Sequence, residues 1–280
     1  MNARAALKQL RLGALGILIL IWTLVPIYHM LVMALTPGKE AHAGQLWPQD
    51  PTLENFRTVL GQGHFFLHHF WAQLLNSIVV AVASSGLTLA VAACAVFAIS
   101  RLRLSWGGTI SNLALLTYLI PAAFLAVPMY KTMGQYGLLN NQWALIFSMV
   151  TFATPYAIWV LKQYADKLPY ELDEAARIDG ASSLQIFYLV FLPLMAPSLV
   201  AIGTYALLLA WNEYLYAFLM LSQERNMTLP VAIGLFLTND DPPWNILMAT
   251  GIIYSLPPAA IYYAFRRYMV TGITAGAVKA

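Results

Sequence analysis

The sequence predicts an all-α, polytopic membrane protein with six transmembrane helices, and three observations carry that reading. Of 280 residues, 60% are hydrophobic and only 10% charged, with a mean hydropathy of +0.67, against roughly 45–50% apolar residues in an ordinary soluble domain. The apolar residues gather into six runs, 12–35, 74–99, 109–130, 143–161, 198–221 and 246–265, each near the ~20 residues that cross a bilayer core. No connection between the runs is long enough for a separate soluble domain, so residues 1–280 are read as one transmembrane domain with a polar loop over 162–197.

Orientation follows from the basic residues. With the N-terminus cytoplasmic, that side receives Arg4, Lys8, Arg11, Arg101, Arg103, Lys162, Lys167, Arg177, Arg266, Arg267 and Lys279, and the other receives Lys39, Arg57, Lys131 and Arg225. Eleven of the fifteen Lys and Arg therefore lie on one side, which satisfies the positive-inside rule and places both termini in the cytoplasm. A net charge of +3 does not suggest a nucleic-acid partner, and the single cysteine, Cys94, excludes an intrachain disulfide.

The first run follows MNARAALKQLR and precedes AHAG at 41–44, the two ends of a signal-peptide pattern. Its length exceeds the 7–15 residues of a signal core, and TPGKE separates it from the small residues, so an uncleaved first span is expected. His29, alone in that span, reads as a satisfied buried histidine. In the following connection, Thr52 is placed to cap a short helix with Leu53, Phe56, Val59 and Leu60 along one side. That helix suits a membrane surface or a partner. His64 and His68 have the spacing of paired metal ligands, but no carboxylate or cysteine lies near them, and HFFLHHFW reads as an interfacial aromatic belt. No metal site is expected.

Asn76 and Ser77, opening the second span, read as helix–helix hydrogen bonds, with solute contact as the alternative. Pro121, Pro128, Pro155, Pro257 and Pro258 remove N–H donors inside apolar runs. Such interruptions suit either helices that rock or helices with static kinks.

The polar loop holds the densest charge in the chain. In LPYELDEAARIDGASSLQIFYLVFLPL, residues 168–194, the side chains Glu171, Asp173, Glu174, Arg177 and Asp179 fall within nine residues. Pro169 suits a helix start, the acids favour the positive end of the helix dipole, and Gly180 is a ready stop. Leu172, Ala175, Ala176 and Asp179 share one face, which is lined mainly by small side chains. Ser182 with Gln185 reads as a capping box opening a second helical segment, and Pro193 and Pro197 mark a bend into the fifth span. A short helix with a small-residue face and a charged rim is shaped for a groove on another protein; the alternative is a solvated loop helix.

Within the fifth run, Trp211, Asn212, Glu213, Tyr214 and Tyr216 put amide, acid and phenol groups among apolar residues. An intramembrane carboxylate is costly and faces a cavity or a partner. The cluster suits a sugar, or else a lock between subunits. Tyr254 and Ser255, beside the prolines of the last span, are weaker members of the same set. A proton-coupled secondary transporter using Glu213 is the competing reading, and a membrane hydrolase built on the outer histidines is a third.

EAARIDGASSLQIFYLVFLP, with Glu174, Ala175, Ala176, Gly180, Val190, Leu192 and Pro193 at the motif positions, resembles the EAA loop of bacterial ABC importer permeases, with Val190 where Ile is usual. LLNSIVVA, VFAISRLRL, IPAAFLAVPMY, GLLNN, WNEYLYAFLML and TLPVAIGLF are similar to the carbohydrate-importer branch, and RRYMVTGITAGAVKA to the end of the smaller permease of maltose- and trehalose-type transporters. The resemblance covers nearly the whole chain. It implies an ABC type I importer permease fold in the bacterial cytoplasmic membrane, in which the EAA helix is a coupling helix docked on a cytoplasmic ATPase. Glu174, Ala175, Ala176, Asp179, Gly180 and Pro193 would carry that coupling, and Thr274, Gly276 and Lys279 in the tail would reach the ATPase interface. The implied partners are a second permease, two ATPase subunits and an extracytoplasmic solute-binding protein, with a carbohydrate as substrate. ATP and magnesium would belong to the ATPases: this chain has no GxxxxGK[ST] phosphate loop, and no cofactor of its own is expected.

Overall fold

In a computed structural model, residues 3–38, 46–102, 104–238 and 240–277 are described, with side chains described only between residues 9 and 266. The AHAG stretch and Lys279 lie outside them. Among the described residues the regular structure is helical throughout: α1 (Ala3–Leu35), α2 (Glu54–Leu60), α3 (Phe70–Ser100), α4 (Gly107–Thr117), α5 (Ala126–Gln135), α6 (Gln142–Ala165), α7 (Glu171–Ile178), α8 (Ser183–Ile186), α9 (Leu192–Trp211), α10 (Leu215–Met220), α11 (Leu229–Leu235) and α12 (Trp244–Ala277). Five segments are long and apolar enough to cross a membrane, namely Gln9–Leu35, Phe70–Ser100, Gln142–Ala165, Ser183–Trp211 and Trp244–Arg266. A sixth forms if α4 and Ala122–Gln135 are counted as one span bent by 87°.

Two runs differ from the straight spans expected of them, and backbone hydrogen bonding explains both. The third is broken because Pro121 cannot donate. Three successive tight turns, Tyr118 N to Leu115 O, Leu119 N to Leu116 O and Ile120 N to Thr117 O, unwind the end of α4. The Tyr216 hydroxyl then donates to the Ala122 carbonyl at 2.6 Å. The fifth run forms helix from Ser183 rather than 198, and stops at Trp211 rather than 221. Pro193 and Pro197 do not interrupt the helix: a π-helical turn over Phe187–Phe191 carries the chain past Pro193, and α9 continues with Pro197 inside it. A wider turn accommodates the missing N–H that would break an α-helical ladder.

The chain divides into two compact units, Met1–Phe70 with Ala232–Leu256, and Trp71–Val231 with Pro257–Ala280. In the first, the apolar side chains of α1 from Leu10 to Tyr28 are exposed, as lipid-facing positions would be. His29 is exposed as well, not the buried histidine expected, since it stands on the same uncovered length of helix. Buried Asn55 sits where α1 ends: its Nδ2 donates to the Ala34 and Thr36 carbonyls at 2.8 and 2.9 Å, and its Oδ1 accepts from Asn245 Nδ2 at 2.7 Å. The inward face of α2 is therefore Asn55 and Val59, while Leu53 and Leu60 point outward, so the apolar side expected for this helix is split. The carbonyls at the end of α1 need donors, and an amide supplies them where a leucine cannot. The Thr52 hydroxyl takes the Glu54 amide at 3.1 Å. His64 accepts from the Phe66 amide and stacks on Phe236 with centroids 5.3 Å apart, an aromatic packing role.

In the second unit, Ala92, Ala93, Val96 and Phe97 of α3 pack with Ala157, Leu161 and Ala165 of α6 and with Ile186, Phe187, Phe191, Met195 and Ile202 of the α8–α9 segment. Phe97 meets Phe187 and Phe191 edge-on at 5.1 and 5.2 Å. Further along, α3 and α9 approach closely at Gly203, whose carbonyl accepts from Ser85 Oγ at 2.7 Å; an added Cβ would stand 2.9 Å from Leu89 Cδ1.

Asn55→Leu is expected to lower the stability of the purified chain by about 2–4 kcal/mol, because buried carbonyls lose their donors; an unchanged unfolding midpoint would contradict this role. Burial, and secondarily His68, holds the His64 imidazole below the usual histidine range. The fold thus favours the neutral ring, and stability is expected to fall as pH drops below about 6.5, until the folded imidazole also protonates. His64→Gln should flatten that acid limb in unfolding curves taken across the range.

Candidate functional site

The acidic island forms α7, and its two ends are built differently. Glu171, Asp173 and Glu174 occupy the first turn, where negative charge meets the positive end of the helix dipole. At the other end Gly180 has φ +85°, its amide donates to Arg177 O at 3.0 Å, and the Ala181 amide donates to Ala176 O at 2.9 Å. This is a Schellman turn, whose left-handed residue favours glycine. Nothing lies within 4 Å of a Cβ built at Gly180, so its role is conformational. The chain then reverses into the predicted capping box. Ser182 N donates to Gln185 Oε1 at 2.7 Å, and Gln185 N to Ser182 Oγ at 3.4 Å.

The face expected for α7 is split. Glu174, Ala175 and Asp179 are exposed, joined by Leu172 and by Ile178, which is 87% exposed. Ala176 turns inward with Ala181 onto the α3–α6–α9 core. A tight turn brings these two alanines together on the core side, so only Ala175 of the pair remains on the outer face. Pro193, exposed in the first turn of α9, follows the π-helical turn.

The residue that seats α7 is one the charge count treated only as an orientation signal. Arg101, just past the end of α3, is 5% exposed, and Asp173 in the first turn of α7 is 2% exposed. Arg101 Nε lies 3.1 Å from Asp173 Oδ2. Arg101 Nη1 and Nη2 reach the Leu168 carbonyl at 3.5 and 3.4 Å, its guanidinium stacks near the Tyr170 and Phe191 rings at 5.8 and 5.9 Å, and Tyr170 donates back to the Arg101 carbonyl at 3.4 Å. A planar guanidinium suits such simultaneous ion pairing and ring stacking, as a lysine would not. Asp173 is one of five charged side chains within residues 171–179, and nothing in the spacing marks it as the buried one. Its alternation with the exposed Glu174 appears only once the helix is placed on its core.

Toward the other end of α3, about 36 Å from Ser100 along the helix axis, Asn76 and Ser77 are engaged in hydrogen bonds to a distant segment. Asn76 Nδ2 donates to the Arg225 and Met227 carbonyls at 2.8 and 3.0 Å and its Oδ1 accepts from Gln142; Ser77 Oγ accepts the Leu229 amide at 2.8 Å. They fasten the loop before α11, whose backbone groups have no helix to pair with. Asn140, at φ +58°, fastens the same loop through Gln223 and Asn226.

The Trp211–Tyr214 cluster coincides with the break between α9 and α10. Trp211 is buried; Asn212 and Tyr214 are exposed. Asn212 Nδ2 donates back to the Leu208 carbonyl at 2.9 Å, Tyr214 stacks on Phe218, and Glu213 Oε1 accepts the Tyr216 amide at 2.8 Å, capping the start of α10. A cavity of about 340 Å³ at the bend between α4 and α5 is lined by Thr117, Tyr118, Pro121, Thr151 and Phe152 and by Leu209 of α9 among others, and the Tyr118 and Tyr205 hydroxyls meet at 2.7 Å. Tyr254 lies within α12. The backbone of Thr274 and Gly276 continues α12.

The model of the family described as "Binding-protein-dependent transport system inner membrane component" matches residues 9–274. The chain is 35% identical to the inner membrane ABC transporter permease protein YcjP of Escherichia coli (strain K12), over 94% of this chain and 93% of that protein. It is 33% identical to the trehalose/maltose transport system permease protein MalG of Thermococcus litoralis, over 98% of each. A bacterial ABC transporter involved in the import of the acidic polysaccharide alginate has a chain of the same fold, with a TM-score of 0.79, 22% identity and 96% of this chain covered against 98% of that one. With the match running through both helix-rich units and across α7, the chain belongs to the binding-protein-dependent transport system inner membrane components.

Proposed function

We propose that this chain is one permease subunit of an ATP-driven, binding-protein-dependent importer, forming with a second permease the path by which a carbohydrate enters the cytoplasm. The observation that carries the reading is α7: a short charged helix fixed on its inner side by Asp173 and Ala176, and presenting Glu174, Ala175, Ile178 and Asp179 outward. Two ATPase subunits, which hold the ATP and magnesium, are the partners for that face; the chain itself is non-catalytic. Glu174 makes a charged contact, Ala175 permits close approach, and Gly180 sets the turn that keeps α7 in place. The tail residues Thr274, Gly276 and Lys279 meet the same ATPases. The excess of Lys and Arg puts both termini and α7 in the cytoplasm, and an extracytoplasmic binding protein delivers the solute on the opposite side.

The solute is a neutral sugar or polyol. Support comes from the trehalose/maltose permease at 33% identity and from apolar spans with no cationic residue near their middles. Asn212 and Tyr214 of the predicted cluster meet solute or the second permease, a reading supported by their exposure at the α9–α10 break, with Trp211 buried beside them. Proton coupling through Glu213 gains nothing from the geometry, because its carboxylate is engaged as a helix cap.

Purification from the native membrane in mild detergent is expected to bring down an ATPase and a second permease, with hydrolysis stimulated by the binding protein; recovery of the chain alone, under conditions that keep other complexes intact, would sink the importer. Gly180→Leu is expected to leave the chain inserted and to uncouple hydrolysis from uptake, whereas Gly180→Asn, which tolerates a left-handed backbone, keeps most of it. Glu213→Gln retains an acceptor for the Tyr216 amide and is expected to support normal ATP-driven uptake, while Glu213→Ala costs about 1 kcal/mol of stability. Loss of uptake in Glu213→Gln together with dependence on a pH gradient would revive the proton-coupled reading.

A further inference from the structure

We infer that Arg101 is a positioning residue that makes α7 and the end of α3 move as one body, so that a displacement imposed on α7 is delivered to α3 directly as well as through the covalent connections to α6 and α9. The inference rests on the importer reading for its mechanical meaning, and on the geometry of Arg101 for its content. Chain connectivity alone ties α7 to α6 through residues 166–170 and to α9 through the turn at Gly180. It gives α7 no link to α3, which ends some seventy residues earlier in sequence (Ser100 against Glu171).

Arg101 supplies that link, and does so with every part of its head group. Nε faces Asp173 at 3.1 Å in the first turn of α7, and Nη1 and Nη2 face the Leu168 carbonyl in the segment that enters it. The guanidinium plane borders Tyr170 and Phe191, and the Arg101 carbonyl accepts from Tyr170. Asp173 Oδ2 and Arg101 Nε make no hydrogen bond among the described residues and meet as an ion pair only, so separating the pair would leave two buried charges uncompensated. A surface salt bridge could slide or open under load at little cost; this one resists separation, and a link that resists separation transmits displacement. The neighbouring Phe97–Phe187 and Phe97–Phe191 contacts extend the rigid patch into the core.

The test is a double-mutant cycle on the assembled complex, read as solute imported per ATP hydrolysed, with hydrolysis also measured by itself. Arg101→Met and Asp173→Asn are each expected to lower that ratio roughly tenfold while hydrolysis continues, within the range that residues of a coupling network command. The double variant is expected to be no worse than the worse single, since both remove one link, and Arg101→Lys to recover part of the loss. A ratio unchanged in either single variant, or a double loss equal to the product of the two, overturns the inference. Hydrogen exchange on the purified chain without partners gives the second readout. Arg101→Met should speed amide exchange in 168–178 and in the last turn of α3 together, and unchanged exchange at both overturns the clamp even where the variant fails to assemble. A wild-type complex that imports nothing on ATP would instead count against the importer reading, with the exchange result still deciding the clamp.

Discussion

A helix that ends in apolar surroundings leaves amides and carbonyls that lipid cannot satisfy, and in this chain polar side chains meet that demand at almost every interruption. Asn55 serves the end of α1, Tyr216 the carbonyl beyond Pro121, Glu213 the start of α10, and Asn76, Ser77 and Asn140 the loop before α11. The chain has few polar residues to spend, so their positions decide where helices may stop. This is how the third run can turn by 87° and the fifth can stop at Trp211 with a side-chain partner for a backbone group at each break.

The same economy shapes the coupling end. Only 10% of residues are charged, yet one Arg and one Asp are buried together there. By the measure of stability alone, an apolar pair would serve as well. A directional, forked contact that reaches Leu168, Asp173 and the Tyr170 and Phe191 rings at once does what apolar packing would not. It fixes α7 in one orientation, with Glu174 and Ala175 outward and Ala176 inward. The Schellman turn at Gly180 and the capping box at Ser182 then hold the other side of α7, so the short helix is constrained at both ends although it has only eight residues.

The break between α9 and α10 has the opposite character. It is an interruption stabilised by local caps, with Asn212 and Tyr214 exposed beside it and a cavity under the neighbouring bend. A sequence that ran helical through Glu213 would cover this region with regular apolar surface. Stopping the helix at Trp211 is what leaves amide and phenol groups exposed at the break.

Sequence alone determined the class of the protein and the local form of its EAA-like segment, because both are local: apolar runs of membrane length follow from composition, the capping box from Ser182 and Gln185, and the left-handed stop from Gly180. The order of Glu174, Ala175, Ala176 and Gly180 was legible for the same reason. Tertiary structure decided which side of each helix faces the core. Apolar patterning grouped Leu53 and Leu60 with Val59 and passed over Asn55, paired Ala176 with Ala175 on one outer face, left the partners of Asn76 and Ser77 unnamed, and left Arg101 as one basic residue among fifteen. In each instance the deciding partner lies on a segment tens of residues away: the Ala34 and Thr36 carbonyls for Asn55, the α3–α9 core for Ala176, the loop at 225–229 for Asn76 and Ser77, and Asp173 for Arg101. Periodicity reports the hydrophobicity of a face, and it is blind to a distant backbone group that must be paired once it is buried.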